Sequence, residues 1–383
     1  MDFDFSDDQL LLKESVGKML TARYADFDKR KAYQKQPHGF DPAVWAEYAE
    51  SGILSLPFSE EHGGFGGGPV ETMIVMEALG RSLAVEPYLS CVVLCGAILK
   101  HAAAEPAAAA IIPKLAAGET IVALAQIERG SRYDANDVSL AARKDGDDFI
   151  LEGEKSVVLG GGAADMFIVS TRTGGNRRDK SGISLFLLDA RTPGISRRAY
   201  PTQDGLQAAE ISFAQVKAPA STIIGGEGNG LPLLQRGLDE AVAALCAEAV
   251  GAMDELVKMT VEYLKTRKQF GVAIGSFQAL QHRSVDMLVM LEQARSMAIY
   301  AALSVADDDA AARGNAISAA KVQIGRSAKF IGQQATQLHG GIGMTMEYKG
   351  GHYFKRLTMI EQMFGDSDYH LRKLAQAGAA IAA

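Results

Sequence analysis

Residues 263–287 read YLKTRKQFGVAIGSFQALQHRSVDM, and the rest of the chain is understood from this stretch. It begins in an apolar-periodic helix, breaks at Gly271 and Gly275, and resumes as a second helix from about Phe277. Arg267 and Gln269 precede the break, Gln278 follows it, and Phe270 lies between them. A cation, amides and an aromatic around one backbone bend suit an anionic, ring-bearing ligand. Guanidinium offers a rigid fork to phosphate, and Gln278 adds an amide near a helix start. The plainer alternative is an antiparallel helix pair with a glycine turn and a solvated arginine.

On either side of this corner the chain reads as helix. Before it, Leu234, Leu238, Val242, Leu245, Ala249, Met253 and Leu256 form a stripe at three-to-four spacing, predicting one long helix over 231–268. After it, helices are expected from Phe277 to about 306, from 315 to 338, and from Asp366 to the end. Long alanine-rich helices with short links describe a four-helix bundle. Upstream the texture changes. TIVALAQIE (120–128), FILEGEKSVVLGG (149–161), DMFIVSTRT (165–173), GISLFLLD (182–189) and AEISFAQVKAP (209–219) are runs of β-branched and aromatic residues separated by Gly, Asp, Asn and Pro. They predict a β-barrel or sandwich of roughly seven or eight strands. The first 119 residues read as helices again. Ser6 and Gln9 have capping-box spacing, and Asp41-Pro42 opens another helix. The fold class is therefore α+β, with helical regions 1–119 and 226–383 flanking a β domain at 120–225.

Two glycine-rich runs invite nucleotide readings that fail on context. The glycines at 63, 64 and 66–68, read as a flexible loop, have no GK[ST] after them. GGEGNG at 225–230 follows a β-rich region without alternating helices, so it is no dinucleotide fingerprint. With 383 residues, 48% apolar, 22% charged and a net charge of −7, the chain is an ordinary multi-domain globular protein with no basic surface for nucleic acid. Cys91, Cys95 and Cys246 make no disulfide framework or metal site. No run reaches the roughly 20 apolar residues of a membrane helix, and no apolar signal core opens the chain, so a cytoplasmic location is expected.

The corner at 267–278 resembles the RxxFG…Q segment of the acyl-CoA dehydrogenase family, which reaches the FAD of a dimer partner. The resemblance runs over nearly the whole chain. Residues 56–88 resemble P-E-x-x-G-G-x-G followed by E-x-L-G-R, GGEGNG resembles the family's E-G-x-G junction, and QLHGGIGMTMEY at 337–348 resembles its Q-x-x-G-G segment. What it implies is FAD-dependent α,β-dehydrogenation of an acyl-CoA thioester, a dimer-of-dimers assembly, and an electron-transferring flavoprotein as acceptor. Carried over by position, Arg267, Gln269, Phe270, Gln278, Gln337, Leu338, His339, Gly340, Gly341 and Ser367 would contact a flavin nucleotide.

Against the same family, the contacts to the chain's own flavin look eroded. T-E-P-G-x-G-S-D is represented by 125–134, where Gln126 and Ser131 are the surviving fragments. In G-x-K-x-W-I-T-N-G, Val157 replaces the Trp that packs on the isoalloxazine, and Leu159 replaces the Thr that bonds its N5 edge. The only Trp, Trp45, lies among the first helices. Both positions where relatives carry the catalytic Glu are vacant: Gly365 in the run matching Y-E-G-T, and Ala241 on the helix before RxxFG, with Val242 where an Arg is common. Glu248, seven residues after Ala241, shares its helical face within an apolar run. It is either a displaced base or an acid paired with a neighbouring helix or subunit. Asp366 is a weaker base candidate, Asp239 matches an Asp linked to substrate binding, and Glu240 reads as solvent-facing.

A chain that keeps the groups it lends to a neighbour's flavin, while those for its own have eroded, is expected in a hetero-oligomeric enzyme. The N-terminal run and FGDSDYH (364–370) are similar to the small subunit of pimeloyl-CoA dehydrogenase-like two-subunit enzymes, which implies dicarboxylyl-CoA or another acyl-CoA as substrate. The alternatives are a complete homomeric enzyme using Glu248, a non-catalytic subunit lending FAD contacts to a partner chain, and a scaffold that keeps only the fold.

Overall fold

The computed structural model describes residues 5–378. In chain order the helices and strands are α1 (Asp7–Tyr24), α2 (Phe27–Gln34), α3 (Pro42–Glu50), α4 (Pro69–Ser82), a π-helix (Tyr88–Cys95), α5 (Gly96–His101), α6 (Pro106–Ala109), α7 (Ile112–Ala116), β1 (Val122–Ala125), β2 (Ala141–Asp145), β3 (Asp148–Leu159), β4 (Met166–Arg172), β5 (Ile183–Asp189), β6 (Ile195–Pro201), β7 (Gln207–Pro219), β8 (Ile223–Ile224), α8 (Gly230–Thr266), β9 (Lys268–Gln269), β10 (Val272–Ala273), α9 (Gln278–Ser304), α10 (Ala310–His339), α11 (Lys349–Gln362) and α12 (Ser367–Gln376). They form two compact units. Among the described residues, one gathers 5–31, 69–84 and 242–378; the other gathers 32–68 and 85–241.

The first unit is helical. Ser6 and Gln9 close their capping box around the start of α1. The unit is held by a close approach of α4 to α8. A side chain at Gly80 would run into the Glu248 carbonyl, and one at Gly251 into the Glu77 carbonyl, so each helix offers a glycine to the other's backbone. The stripe read from sequence lines this interior: Val242, Leu245, Ala249, Met253 and Leu256 are all buried. Helix α11 was not among the elements expected. Gly350 and Gly351 at its start weaken the sequence signal, and packing of Tyr353, Arg356, Leu357 and Ile360 supplies what propensity does not. The last helix, expected to run to the chain's end, is described to Gln376. Residues 379–383 lie outside the described segment, as do 1–4 of the N-terminal run.

The second unit is built on one eight-stranded sheet, ordered β6-β7-β3-β2-β4-β5-β8, with β1 parallel to β4. The β domain expected as a barrel or sandwich has all eight strands in one hydrogen-bonded sheet. Phe149, Leu151, Phe167, Phe186, Ile211 and Phe213 share its apolar core, with Phe149 and Phe186 edge to face at 5.3 Å. The β3–β7 register shifts between Lys155 and Val158, so Ser156 and Val157 form a bulge opposite Glu210. Val157 takes φ +51°, unusual for a β-branched residue. The glycine loop at 63–68, expected to be flexible, is pinned: Gly66 and Gly67 donate to Phe58 and Leu56 carbonyls at 2.7 and 2.8 Å. Trp45 is buried and donates to the Gly118 carbonyl at 3.2 Å. No helix among the described residues is long and apolar enough to cross a membrane.

Gly80→Ala and Gly251→Ala each force α4 and α8 apart, and overpacking of this kind costs about 1–3 kcal/mol. Urea unfolding is expected to show a lower midpoint for each; an unchanged midpoint would contradict the glycine contact.

Candidate active site

In the helical unit the corner at 267–278 is more elaborate than a glycine turn. Strands β9 and β10 make a two-residue hairpin whose turn residues, Phe270 and Gly271, have φ +56° and +80°. That is the geometry of a tight hairpin turn, which prefers Asn-Gly or Gly-Gly. Phe270 accepts a left-handed backbone and is 92% exposed, so an aromatic ring is displayed at the tip of a rigid turn. Arg267, Gln269 and Gln278 are exposed around it. A single three-residue turn, Ile274–Ser276, leads into α9, with the Ile274 N–H bonded to the Arg267 carbonyl at 2.8 Å.

The segment after α10 divides into an inner and an outer set. His339 is buried between the rings of Tyr263 and Tyr348, at 4.6 and 4.8 Å. Its Nδ1 lies 2.8 Å from the Ala335 carbonyl and its Nε2 2.7 Å from the Tyr348 hydroxyl. Leu338 is buried too. Their side chains therefore support the segment from inside, which corrects the expectation that they reach a cofactor. Gln337, Gly340 and Gly341 are exposed. Gly340 needs glycine for its φ of +63°, but a Cβ at Gly341 would meet nothing within 4 Å. No atom of this chain would obstruct a side chain at 341.

Glu248 is the paired acid of the two readings. Its Oε1 and Oε2 accept from Arg356 Nε and Nη2 at 2.6 and 2.8 Å, and both residues are buried. A carboxylate gripped by both prongs of one guanidinium is committed to that helix contact, and the geometry gives no support to a displaced base. Asp366 is occupied as well: its side chain caps α12 by accepting the Tyr369 N–H at 2.8 Å. Gly365 takes φ +113°, and a Cβ there would lie 2.7 Å from His370 Nε2. A glutamate has no room at this position. Sequence reasoning missed the side chains that hold this loop. Lys321, fully buried, donates to the Glu361 and Gly365 carbonyls at 3.0 and 2.8 Å. His370 lies between Ser318 Oγ at 3.1 Å and the Phe364 carbonyl at 3.2 Å. Burial, with Lys321 and Lys373 nearby, pushes His370 down to about 3. Ser367 donates its N–H to Glu361 at 2.9 Å, while its Oγ is buried without a partner.

In the sheet unit the run after β1 and the bulge of β3 are laced together. Ser156 N–H donates to the Ile127 carbonyl at 2.8 Å, and the fully buried Lys155 reaches the Gln126 carbonyl, Glu128 Oε1 and Ser170 Oγ at 3.2, 2.7 and 3.1 Å. Burial lowers Lys155 to about 8 against the opposing pull of Glu128. Ser131 is buried, its hydroxyl donating to the Glu128 carbonyl at 2.9 Å and accepting the Glu128 N–H at 3.0 Å. It is spent on its own turn. Val157 is 40% exposed at the bulge and Leu159 is half-buried beyond it. Asp239 is half-buried, and Glu240, expected to face solvent, is not free: Lys100 and His101 hold it at 2.7 and 2.6 Å. Burial raises Glu240, but those hydrogen bonds and charges outweigh it and bring it down to about 2. Among the described residues no cluster could hold a metal ion.

Comparison with known proteins decides what these parts belong to. Residues 6–119, 123–217 and 228–379 match, in order, the acyl-CoA dehydrogenase N-terminal, middle and C-terminal domain models. The chain belongs to the acyl-CoA dehydrogenase family. It is 28% identical to a probable acyl-CoA dehydrogenase, YngJ, of Bacillus subtilis, over 96% of this chain and 97% of that one. Among solved structures it is similar to butyryl-CoA dehydrogenase from Megasphaera elsdenii, with TM-score 0.89, 25% identity and coverage of 98% and 99%. It is also similar to the ChsE4–ChsE5 complex from Mycobacterium tuberculosis, with TM-score 0.86, 25% identity and full coverage of both chains.

Acyl-CoA dehydrogenases are FAD-dependent oxidoreductases, and the outward-facing groups fit a flavin nucleotide. The open backbone at Gly340 and Gly341, the Arg267 guanidinium, the amides of Gln269, Gln278 and Gln337, and the Phe270 ring offer charge, donors and a flat apolar surface. FAD, when bound, accepts the hydride that leaves the substrate β-carbon. The sheet unit fits less well, because Val157 brings no ring and Leu159 no hydroxyl to the flavin.

If Glu248 is structural, Arg356→Met should cost about 3–5 kcal/mol, since it strands a buried charge, and the Glu248→Met/Arg356→Met pair should recover much of that. Urea midpoints read the difference; Glu248→Gln with an unchanged midpoint and no turnover would restore the base assignment. For His370 the folded value near 3 lies below the ordinary 6.5. The unfolded chain therefore takes up the proton first, and stability falls as pH drops below about 6.5 toward 3. The melting temperature of His370→Gln should decline less steeply across that window than that of the unaltered chain.

Proposed function

We propose that this chain is one subunit type of a hetero-oligomeric acyl-CoA dehydrogenase, built to complete an FAD site on a neighbouring chain. The reading rests on Gly365, where a glutamate side chain has no space, together with an outward-facing corner that is fully formed. In α,β-dehydrogenation a carboxylate takes the α-proton of the thioester, and geometry must place it before its basicity matters. With Gly365 and Ala241 at the two familiar positions, Glu248 bound to Arg356 and Asp366 capping a helix, the base is assigned to the partner chain. This chain's part is to bind and orient. Arg267 supplies charge to the nucleotide, Gln269, Gln278 and Gln337 supply amides, and Phe270 covers an apolar face.

A partner is also what the surface calls for. Val272, Phe277, Val285, Leu288, Val289, Ile342, Met344 and Met346 are exposed apolar residues of the helical unit. Apolar exposure of this extent, flanking an exposed aromatic tip, suits burial against a second protein. A tetramer of two chain types is the assembly expected, with an electron-transferring flavoprotein as acceptor, and the ChsE4–ChsE5 complex is a precedent for two chains of this fold assembling. The substrate is an acyl-CoA thioester, with dicarboxylyl-CoA such as pimeloyl-CoA the first to try.

Co-purification with a second acyl-CoA dehydrogenase-like chain is the test. The lone chain should be colourless and inactive, and the pair should carry FAD and reduce it with acyl-CoA. In the pair, Arg267→Ala should lower FAD occupancy about tenfold or more at limiting flavin, as loss of a charged hydrogen bond of about 1.5–3 kcal/mol implies. Full flavin content and turnover in the lone chain would overturn the proposal.

A further inference from the structure

His339 is held as a base is held, and the dehydrogenase chemistry makes no use of it. It is the last residue of α10 and is buried. Its Nδ1 lies 2.8 Å from the Ala335 carbonyl, which can only accept, so Nδ1 carries the hydrogen. That fixes the tautomer and leaves a lone pair on Nε2. The Tyr348 hydroxyl, 2.7 Å from Nε2, therefore donates to it. At that separation a proton can pass from oxygen to nitrogen without rearrangement of either ring. Burial holds His339 below the usual histidine range, so the imidazole rests neutral. Burial, and then Tyr263, raise Tyr348, so the phenol keeps its proton at rest.

The surroundings suit the imidazolium that forms when this proton crosses. Nδ1–H already donates to a carbonyl. His339 stands at the C-terminal end of a 30-residue helix, where the backbone dipole favours a cation. The Tyr263 ring lies 4.6 Å away, centroid to centroid, and an aromatic face at that distance attracts a cation. A resting phenol is too weak an acid to give its proton to a neutral imidazole. It becomes a strong acid once an electron leaves the ring. A buried Nε2 is also closed to any substrate. The arrangement therefore serves electron loss from Tyr348 rather than acid–base work on a bound molecule.

We propose that Tyr348 is a redox-active tyrosine with His339 as its proton acceptor. A one-electron oxidant, of the class of peroxide-derived radicals, takes one electron from the phenol and is reduced by it. The O–H bond breaks, an N–H bond forms at Nε2, and a neutral tyrosyl radical is left facing an imidazolium. A one-electron reductant of the thiolate class then returns the electron, and the imidazolium returns the proton. Oxidising equivalents are thus drained at one defined place. That this place adjoins Gly340 and Gly341, the backbone offered to a flavin, gives the pair a protective use that rests on the reading proposed above; the chemistry of the pair does not.

Flash photolysis of the full chain with ruthenium tris(bipyridine) and persulfate tests it, with the tyrosyl radical followed by electron paramagnetic resonance. The chain has 11 tyrosines, so the assignment is made by substitution. The unaltered chain is expected to form a long-lived radical, more slowly in D2O than in H2O. Tyr348→Phe should remove it and Tyr263→Phe should keep it. His339→Gln supplies an amide that can hydrogen-bond but takes no proton, and it should slow radical formation about tenfold or more, as loss of a hydrogen bond to a charged group implies. If His339 were purely structural, glutamine would leave the rate unchanged. The solvent isotope effect is read on the unaltered chain, so it decides even where a variant fails to fold. An undiminished radical in Tyr348→Phe, an unchanged rate in His339→Gln, or equal rates in the two waters overturns the proposal. The measurement needs no flavin, so its failure leaves the subunit reading standing, and failure of that reading leaves the radical standing.

Discussion

The helical unit depends on two charges that water would rather keep. Glu248 and Arg356 are both withdrawn from solvent, and only their bidentate bond makes that tolerable. The pair ties α8 to α11 at the level where α4 presses glycine-close against α8. With α11 held, the chain leaving its C-terminal end is held too. The loop at 363–366 is then set from beneath by Lys321 and His370, and its backbone adopts a conformation at Gly365 that excludes a longer side chain. A position matched by resemblance to a catalytic glutamate is here part of the packing.

Under the proposed reading, the two halves of a flavin site have fared differently in this chain. What faces outward is well formed: a rigid hairpin, an aromatic tip, a guanidinium and open glycine backbone. What would face the chain's own flavin keeps its scaffold and loses its chemistry. The bulge at Ser156 and Val157 survives, with Lys155 and Glu128 lacing it to the run after β1, yet the residue it displays is a valine. A bulge aims a side chain, and here the aim outlasts the ring that would use it.

Much of this was legible in the sequence because it is local. The capping box at Ser6, the helix start at Pro42, the stripe along α8 and the change to β texture near residue 120 each depend on neighbours in the chain. The corner at 267–278 could be read for the same reason, though not its hairpin, since a phenylalanine at positive φ breaks the usual turn preference. The site was harder wherever a role depends on a distant partner. Glu248 looked like an acid without cause until Arg356, 108 residues away, supplied one. Glu240 looked solvent-facing because Lys100 and His101 lie on another helix. Leu338 and His339 carry the family's motif, but motif position does not say which side of the backbone faces inward.

Gly341 has a consequence for how tolerance to change would be mapped in this protein. An alanine there collides with nothing in the chain and asks no unusual backbone angle of it. A survey that scores variants by cellular abundance would pass the substitution as silent, while under the proposed reading one scored by growth on the substrate would reject it. Disagreement between two such surveys, residue by residue, would trace the outline of whatever the chain touches beyond itself.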